Sequence, residues 1–174
     1  MPPPRKPGGR RGQRSQVEEK RLAARNTASL IRENETVFIG AGTATELMYD
    51  YVDVKHIKII TNSLTIINRF KNNPAFDLIL IGGPLRELTE FVGYFTRKLV
   101  REIKVQKSFI GVNGIKDECI TTADEEECAV QQIILNNSNE SYVVTDSSKF
   151  GVEAFQVICN RRNNRDRYRS KNTV

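Results

Sequence analysis

The chain has 174 residues, 39% of them hydrophobic, and a formal net charge of +6. This length and composition predict one globular domain with one core. No apolar run is long enough to span a membrane, and no hydrophobic stretch follows the first basic residues, so we expect a cytoplasmic protein with no membrane contact and no secretory signal. One histidine and three cysteines without a C-x-x-C pair favour neither a metal site nor a disulfide framework.

The positive charge is concentrated at the two ends of the chain. Residues 1–14 and 160–174 each carry +5, so residues 15–159 carry −4. Both ends are polar and rich in Pro and Gly or in Asn and Arg, which predicts disordered tails at 1–15 and 160–174 around a domain at 16–159. Such tails are usually solvated. Weak, non-specific contact with DNA phosphates is the alternative.

The elements alternate along the chain. Apolar residues at helical spacing predict an amphipathic helix from Ser15 to about Asn34. Five short runs rich in Ile, Val, Leu and Phe follow, and a helical pattern follows each of the first four; the runs are residues 36–40, 56–63, 76–83, 107–114 and 141–148. This alternation predicts one α/β domain built on an open, mainly parallel sheet with helices on both faces.

Each predicted strand ends in small polar residues or glycine. These ends read "GAGT" at 40–43, "TNS" at 61–63, "GGP" at 82–84, "GVNG" at 111–114 and "DSSK" at 146–149. The carboxyl ends of parallel strands share one edge of the sheet, where ligands bind in open α/β folds. The predicted edge carries hydroxyl, amide and backbone N–H groups and a lysine, which suits a small, polar, anionic ligand.

The first of these loops has two interpretations. It lacks the Gly-Lys-Ser/Thr of a Walker loop, and Thr45 stands where the dinucleotide fingerprint requires its last glycine. Backbone N–H groups at a helix start, with the Thr43 and Thr45 hydroxyls, are suited to one phosphate. Alternatively, Thr43 and Glu46 form a capping box that satisfies only the helix itself.

Seven motifs in order resemble the effector-binding domain of DeoR-type bacterial transcriptional repressors. They are "GAGTAT", "TNS", "GGPLRE", "FVG", "KSFIGVNGI", "TTADEEE" and "DSSKFG", and "EEKRLAARNTASLIREN" resembles the family's first helix. The resemblance covers residues 16 to about 158. Within the family, "GAGTATELM" and "LTEFVG" are most similar to the lactose phosphotransferase system repressors.

The resemblance implies a sensor for a phosphorylated sugar, with a fold similar to ribose-5-phosphate isomerase and the CoA transferases, and it implies no cofactor. We expect a homo-oligomer. Carried over by motif, the ligand-binding residues are Gly42, Thr43, Thr45, Asn62, Ser63, Gly82, Gly83, Arg86, Asn113, Glu127 and Lys149. Gly42, Thr43 and Thr45 would hold the phosphate, and the Arg86 guanidinium suits phosphate or sugar oxygens.

Simpler interpretations of single residues remain open. Arg86 and Lys149 are also consistent with solvated surface charges, and Glu126 and Glu127 with acids that favour the first turn of a helix. The sequence also departs from the family pattern. Asn113 stands where the family often has Asp, Gln131 where it usually has Lys, and Ala44 replaces a common Thr, so the sugar specificity is not predicted.

Two further departures lie at the ends of the chain. Family members carry an N-terminal winged helix-turn-helix of about 50 to 60 residues, a size that such reading heads need, whereas about 15 residues precede the first predicted helix here. The family also continues into another strand and helix where this chain reads "NRRNNRDRYRSKNTV". We therefore expect the sensing half of a repressor, with DNA contact only through a missing N-terminal domain or weakly through the basic tails.

Three functional classes follow from the sequence. A binding module that senses a sugar phosphate is the favoured hypothesis. A sugar-phosphate isomerase-like enzyme of the same fold is the alternative, because a Glu, Lys and Asn set is capable of proton transfer. Against the enzyme, the single histidine is poorly placed, and the Asp-rich loop expected of the isomerase is absent from the sequence. A pure oligomerisation domain is the third possibility.

Overall fold

The computed structural model describes residues 11–160. Helix α1 (Arg11–Ala28) opens the described chain and so begins earlier and ends earlier than the sequence pattern predicts. The N-terminal half of α1 is exposed, and its second half packs on the domain through Ala23, Ala24 and Ala28. The rest of the two predicted tails, residues 1–10 and 161–174, lies outside the described residues.

Five parallel strands form the central sheet. They are β1 (Thr36–Ile39), β2 (Ile57–Thr61), β3 (Phe76–Leu80), β6 (Val105–Ile110) and β9 (Ser138–Val143), in the order β3-β2-β1-β6-β9. Four strand pairs link them, and all four are parallel. The predicted open parallel sheet is therefore confirmed, with β3 and β9 at its edges.

Helices cover both faces of this sheet. One face carries α1, the short α2 (Thr43–Glu46) that continues as a 3-10 helix (Leu47–Tyr51), and α3 (Leu64–Phe70). The other face carries α4 (Gly93–Arg101) and α5 (Glu125–Asn136). Successive side chains of a strand point to opposite faces, so Ile39 belongs to the first core and Phe38 to the second.

Two small antiparallel sheets, which the sequence pattern does not predict, complete the fold. A hairpin pairs β4 (Leu85–Arg86) with β5 (Glu90–Phe91), and α4 begins only after it. The second sheet has the order β10-β8-β7 and consists of β7 (Gly114–Lys116), β8 (Cys119–Thr122) and β10 (Gln156–Asn160). The β10-β8-β7 sheet lies on the α4 and α5 side, where Ile120 and Ile158 join the second core.

Candidate functional site

The strand order places two of the predicted loops side by side. From β1 the chain runs outward through β2 and β3, then returns to form β6 and β9 on the other side of β1. In open α/β sheets such a reversal opens a crevice at the carboxyl ends of the two central strands. The loops after β1 and β6 are residues 40–43 and 111–114. The crevice expected of this topology therefore lies between the first and fourth polar loops.

Glycines allow these two loops to approach closely. A Cβ atom on Gly111 would lie 3.0 Å from the carbonyl oxygen of Ala41, and one on Gly42 would lie 3.5 Å from the Gly111 Cα. Gly42 also has a φ of 152°, a conformation that side-chain-bearing residues rarely adopt. The backbone thus forms the wall between the two loops, and larger residues would separate them.

The first loop contains no capping box. Gly42 is the N-cap of α2, and no side chain makes a hydrogen bond at this cap. The predicted capping box is therefore wrong, because Thr43 is the first residue inside the helix and its side chain is exposed. N–H groups in the first turn of a helix have no partner within the helix. Those at the start of α2 are not satisfied by a side-chain cap.

Thr45 has a different environment from Thr43. Its side chain is fully buried, and its hydroxyl Oγ1 lies 2.8 Å from each of the carbonyl oxygens of Gly40 and Gly42, to which it donates. The Thr45 hydroxyl thus links the start of α2 to the backbone of the loop that precedes it. Of the two threonines predicted at the phosphate, only Thr43 presents its side chain to solvent.

The second predicted loop lies beneath the surface. Asn62 and Ser63 are 3% and 0% exposed, respectively. The Asn62 amide Nδ2 donates to the carbonyl oxygen of Phe91 at 2.8 Å, and the Ser63 hydroxyl oxygen accepts from the backbone N–H of Ile66 as the N-cap of α3. These contacts fix the β4–β5 hairpin and the start of α3 against the sheet.

The third loop contains two glycines in unlike environments. Gly82 has open space where a side chain would begin. Gly83 has a φ of 154°, and a Cβ atom there would lie 2.2 Å from the Thr96 hydroxyl oxygen. That hydroxyl donates to the carbonyl oxygens of Gly82 and Val92 at 3.0 Å. Gly83 therefore allows the end of β3 to contact the start of α4.

Arg86 lies at the centre of a group of acidic side chains. Its guanidinium nitrogens lie 2.6 Å from Glu90 Oε1, 2.7 Å from Asp124 Oδ2 and 3.5 Å from Glu127 Oε2. We call these four residues the Arg86 cluster. It joins the β4–β5 hairpin to the start of α5, so Arg86 is not a solvated surface charge. With one cation and three carboxyl groups, the cluster has an excess of negative charge.

Burial and the neighbouring charges shift the pKa values of the carboxyl groups in this cluster. Burial raises the pKa of Glu127 to about 7, and the charge of Glu90 acts in the same direction. Burial likewise raises the pKa of Glu90, although Arg86 opposes it. At Asp124 burial is outweighed, because the backbone N–H of Glu127 and the charge of Arg86 hold the pKa of the carboxyl below its usual value. A pKa of about 7 leaves Glu127 partly protonated near neutral pH.

The fourth loop is connected to the same cluster. Asn113 Oδ1 accepts from the Thr122 hydroxyl at 2.8 Å and from the backbone N–H of Ala123 at 2.9 Å. The Thr122 hydroxyl also lies 3.0 Å from Glu127 Oε2. On the next turn of α5, Gln131 Nε2 donates to the carbonyl oxygen of Gly111 at 3.0 Å and to Glu127 Oε1 at 3.1 Å. The structure therefore brings the predicted residues Arg86, Asn113 and Glu127 into one network.

The fifth loop is fixed to α1. Asp146 accepts from the backbone N–H of Ser148 at 2.9 Å, and its other oxygen lies 3.7 Å from Lys20 Nζ. Burial raises its pKa, but these hydrogen bonds and the charges of Lys20 and Lys149 hold the pKa of Asp146 below its usual value. Lys149 is half-buried at the end of the loop. The carboxylate of this loop is thus already paired, and Lys149 adds a positive charge beside it.

Several members of the network are not among the predicted ligand-binding residues. They are Glu90, Thr122, Asp124 and Gln131. Thr122 and Asp124 lie in "TTADEEE" and Glu90 lies in "LTEFVG", but these motifs do not indicate that the side chains meet around Arg86. Gln131 is signalled only by its departure from the family's usual lysine.

An open cleft lies at the opposite edge of the sheet. Its volume is about 630 Å³, and its lining includes His56, Lys58 and Asp77 at the amino ends of β2 and β3. Lys58 and Asp77 already pair with each other at 3.5 Å. None of the predicted ligand-binding residues lines this cleft.

Comparison with known families decides the identity of the domain. The model of the DeoR C-terminal sensor domain matches residues 15–164. The chain belongs to this family. The resemblance predicted from the seven motifs is therefore confirmed. The DeoR-type sensor domain has curated relatives named lactose phosphotransferase system repressor, with 38% identity to one from Staphylococcus epidermidis, 36% to one from Staphylococcus aureus and 33% to one from Streptococcus mutans.

These relatives are longer than the sensor domain. The three matches cover 84%, 83% and 80% of this chain, and 59%, 59% and 57% of the respective relatives. The chain thus spans less than two thirds of the proteins that it matches. In the part of the chain that the structure describes, no helix is long and apolar enough to cross a membrane.

Solved structures support the same fold. Ribose-5-phosphate isomerase in complex with phospho-erythronic acid has a TM-score of 0.56 at 13% identity, with 78% of this chain and 54% of the isomerase aligned. The eIF2B-β2-δ2 complex from C. thermophilum has a TM-score of 0.57 at 11% identity, with 83% and 46% aligned. At these identities the likeness shows the fold alone, and it confirms the predicted similarity to ribose-5-phosphate isomerase.

Proposed function

We propose that this sensor domain binds a phosphorylated sugar as the effector of a DeoR-type repressor of sugar metabolism genes. Membership of the sensor family and relatives that are named as repressors of a lactose transport system support a regulator of carbohydrate use. The ligand lies at the carboxyl edge of the sheet, over the crevice between β1 and β6. The observation that carries the proposal is the first loop, whose helix has a glycine cap and no side-chain cap.

The phosphate binds at this loop. Backbone N–H groups at the start of α2 and the exposed Thr43 hydroxyl supply hydrogen-bond donors, which is the chemistry that a phosphate dianion requires. The close contact of Gly42 with Gly111 brings the two backbones together without side chains between them. Thr45 contributes by holding the loop, because its hydroxyl is committed to Gly40 and Gly42.

The sugar lies toward the Arg86 cluster. Arg86 is already paired with carboxyl groups, so its charge is less available to the phosphate than the charge of Lys149. Asn113, Glu127 and Thr122 present amide, carboxyl and hydroxyl oxygens, and hydroxyl groups of a sugar pair with all three kinds. The site therefore has a phosphate end and a hydroxyl-binding end.

The experiment is calorimetric titration of the full chain with a panel of hexose 6-phosphates, ribose 5-phosphate and the corresponding free sugars. We expect one phosphorylated sugar to bind and its free sugar to bind far more weakly. Thr43→Val should weaken that binding about 10- to 100-fold, the cost of one hydrogen bond to a charged group. Thr36→Val is the matched control, because Thr36 lies at the amino end of β1, the strand that precedes this loop. This variant should bind the sugar phosphate as the wild type does. A panel in which no phosphorylated sugar binds would contradict the proposal.

The enzyme hypothesis has one observation in its favour. A carboxyl group with a pKa of about 7, such as Glu127, is suited to act as a general base near neutral pH. Incubation of the same panel with the domain, followed by NMR, tests this directly. Turnover that is lost in Glu127→Gln would establish an isomerase-like enzyme. We expect binding without turnover, in agreement with the repressor relatives.

We also propose that the domain forms a homo-oligomer. Large apolar side chains are exposed along α4, where Tyr94, Phe95 and Leu99 are 62%, 64% and 45% exposed. The neighbouring strand β3 is an edge of the sheet and exposes Ile79. Exposed apolar side chains and unpaired strand edges are both typical of protein interfaces.

A further inference from the structure

Gln131 is buried and only half satisfied. The residue is 6% exposed, and its Nε2 group makes two hydrogen bonds, to Gly111 and Glu127. Its amide oxygen Oε1 has no hydrogen-bond partner. Buried polar atoms without partners are rare, because each one loses its hydration and gains nothing in return.

The orientation of this amide is fixed by its neighbours. A flip would place Oε1 against the carbonyl oxygen of Gly111, which only accepts hydrogen bonds. It would also remove the donor that Glu127 Oε1 receives at 3.1 Å. The unpartnered atom is therefore the acceptor, and it lies on the side of the amide that neither Gly111 nor Glu127 occupies.

A second unpartnered atom lies in the same network. Arg86 Nε is buried and has no hydrogen-bond partner, although the two terminal nitrogens of its guanidinium are paired. Arg86 and Gln131 both contact the Glu127 carboxyl group, one at each oxygen. The network thus has one vacant donor and one vacant acceptor around Glu127. A hydroxyl group is able to donate to a vacant acceptor such as Gln131 Oε1, and equally to accept from a vacant donor such as Arg86 Nε.

We propose that Gln131 determines the specificity of the sensor by accepting a hydrogen bond from one hydroxyl group of the bound sugar phosphate. The inference rests on the proposed function and assigns the hydroxyl-binding end of the ligand to α5. Because Gln131 Oε1 has no exposed surface, side chains of the Arg86 cluster move when the hydroxyl group enters. A lysine at this position would keep a donor toward Gly111 and Glu127 but would offer no acceptor.

The test compares a sugar phosphate with its monodeoxy analogues in two variants. The probe is the member of the hexose 6-phosphate and ribose 5-phosphate panel that binds the wild type, together with each analogue in which one hydroxyl group is replaced by hydrogen. Gln131→Lys removes the acceptor. Gln132→Lys adds the same charge one residue away on the exposed side of α5 and is the matched control. The measured quantity is the ratio of the two dissociation constants, since added positive charge strengthens binding of every phosphate alike.

We expect the wild type and Gln132→Lys to prefer the complete sugar over one analogue by about tenfold or more, and Gln131→Lys to reduce this preference to about twofold. Equal preference in all three proteins would overturn the inference and leave the proposed function intact, as would a wild type that does not distinguish any analogue. No binding by any phosphorylated sugar would overturn both. If Gln131→Lys folds poorly, Gln131→Met gives the same ratio test, because it keeps the side-chain length and removes the acceptor.

Discussion

At the scale of single residues, Glu127 is the most unusual group in the domain. Its side chain is 17% exposed and shares one arginine with two other carboxyl groups. Burial is the main cause that raises its pKa from 4.5 to about 7. A folded-state pKa above the unfolded value means that the folded protein retains a proton that the unfolded chain releases between these two values. Glu127 therefore favours folding at acidic pH, and this contribution disappears as the pH rises through 7.

The resulting prediction concerns stability against pH. Between about pH 5 and about pH 8 the wild type should lose about 2 to 3 kcal/mol of unfolding free energy relative to Glu127→Gln, because glutamine has no proton to release. Urea unfolding of both proteins at several pH values measures this difference. Glu125→Gln, an exposed change in the same helical turn, should follow the wild type. Parallel curves for Glu127→Gln and the wild type would show that the Glu127 carboxyl titrates normally.

The site residues differ in how far the sequence predicts them. Arg86, Asn113 and Glu127 follow from motif order, and the structure brings them together through Thr122. Glu90 and Gln131 do not follow from it, because their roles depend on contacts across a hairpin and along a helix face. Motif spacing also does not distinguish Thr43 from Thr45, since only the fold determines which hydroxyl turns inward.

At the scale of elements, the contact between β3 and α4 depends on a single glycine. Gly82 and Gly83 are adjacent and both belong to the predicted ligand loop, yet only Gly83 has a positive φ and a close neighbour. A Cβ atom at Gly83 would meet the Thr96 hydroxyl, whose hydrogen bonds join the loop to the start of α4. The two glycines thus differ in their structural role, because only Gly83 is required by the contact with α4.

The matched pair Gly82→Ala and Gly83→Ala tests this difference. Gly83→Ala should lower the free energy of unfolding by about 2 kcal/mol or more, because it combines backbone strain with a steric clash. Gly82→Ala, which enters open space, should change it by less than about 0.5 kcal/mol. Chemical denaturation of both variants provides the measurement. Similar losses in the two variants would mean that the loop relaxes around either side chain.

The sequence pattern predicts the strands of the central sheet but not those of the two small sheets. The five central strands are predicted because each contains a short apolar run, and a helical pattern follows the first four. The strands β4, β5 and β7 are missed because two or three residues carry little periodicity, and β8 and β10 are missed because each combines two or three apolar residues with polar ones. The pairing of β10 with β8 depends on long-range contacts, such as that between Cys159 and Ile120. The helical pattern after the third predicted strand begins only with α4, because Glu90 pairs with Arg86 in the preceding hairpin.

At the scale of the whole molecule, several elements of the described chain carry exposed apolar side chains, and two groups of them bear on self-association. One group lies on α4 and β3 and includes Phe95, Leu99 and Ile79. Phe95 and Leu99 lie four residues apart and so share one side of α4. Ile79 shares its strand face with Ile81, which packs in the same core as Val100 of α4. The other surface includes Phe155 and Val157 beside β10, at 80% and 49% exposure.

The first surface is the better interface because it adjoins an unpaired edge of the central sheet. We predict that Phe95→Asp converts the proposed homo-oligomer to monomer, since it would place a charge within the apolar contact at a position that is exposed in the single chain. Sedimentation over a wide range of concentrations measures the association state. Phe155→Asp is the matched control, because Phe155 is an exposed aromatic residue on the other surface. This variant should leave the oligomer intact. Dissociation by Phe155→Asp alone would place the interface beside β10. A wild type that sediments as a monomer at every concentration would exclude self-association through either surface.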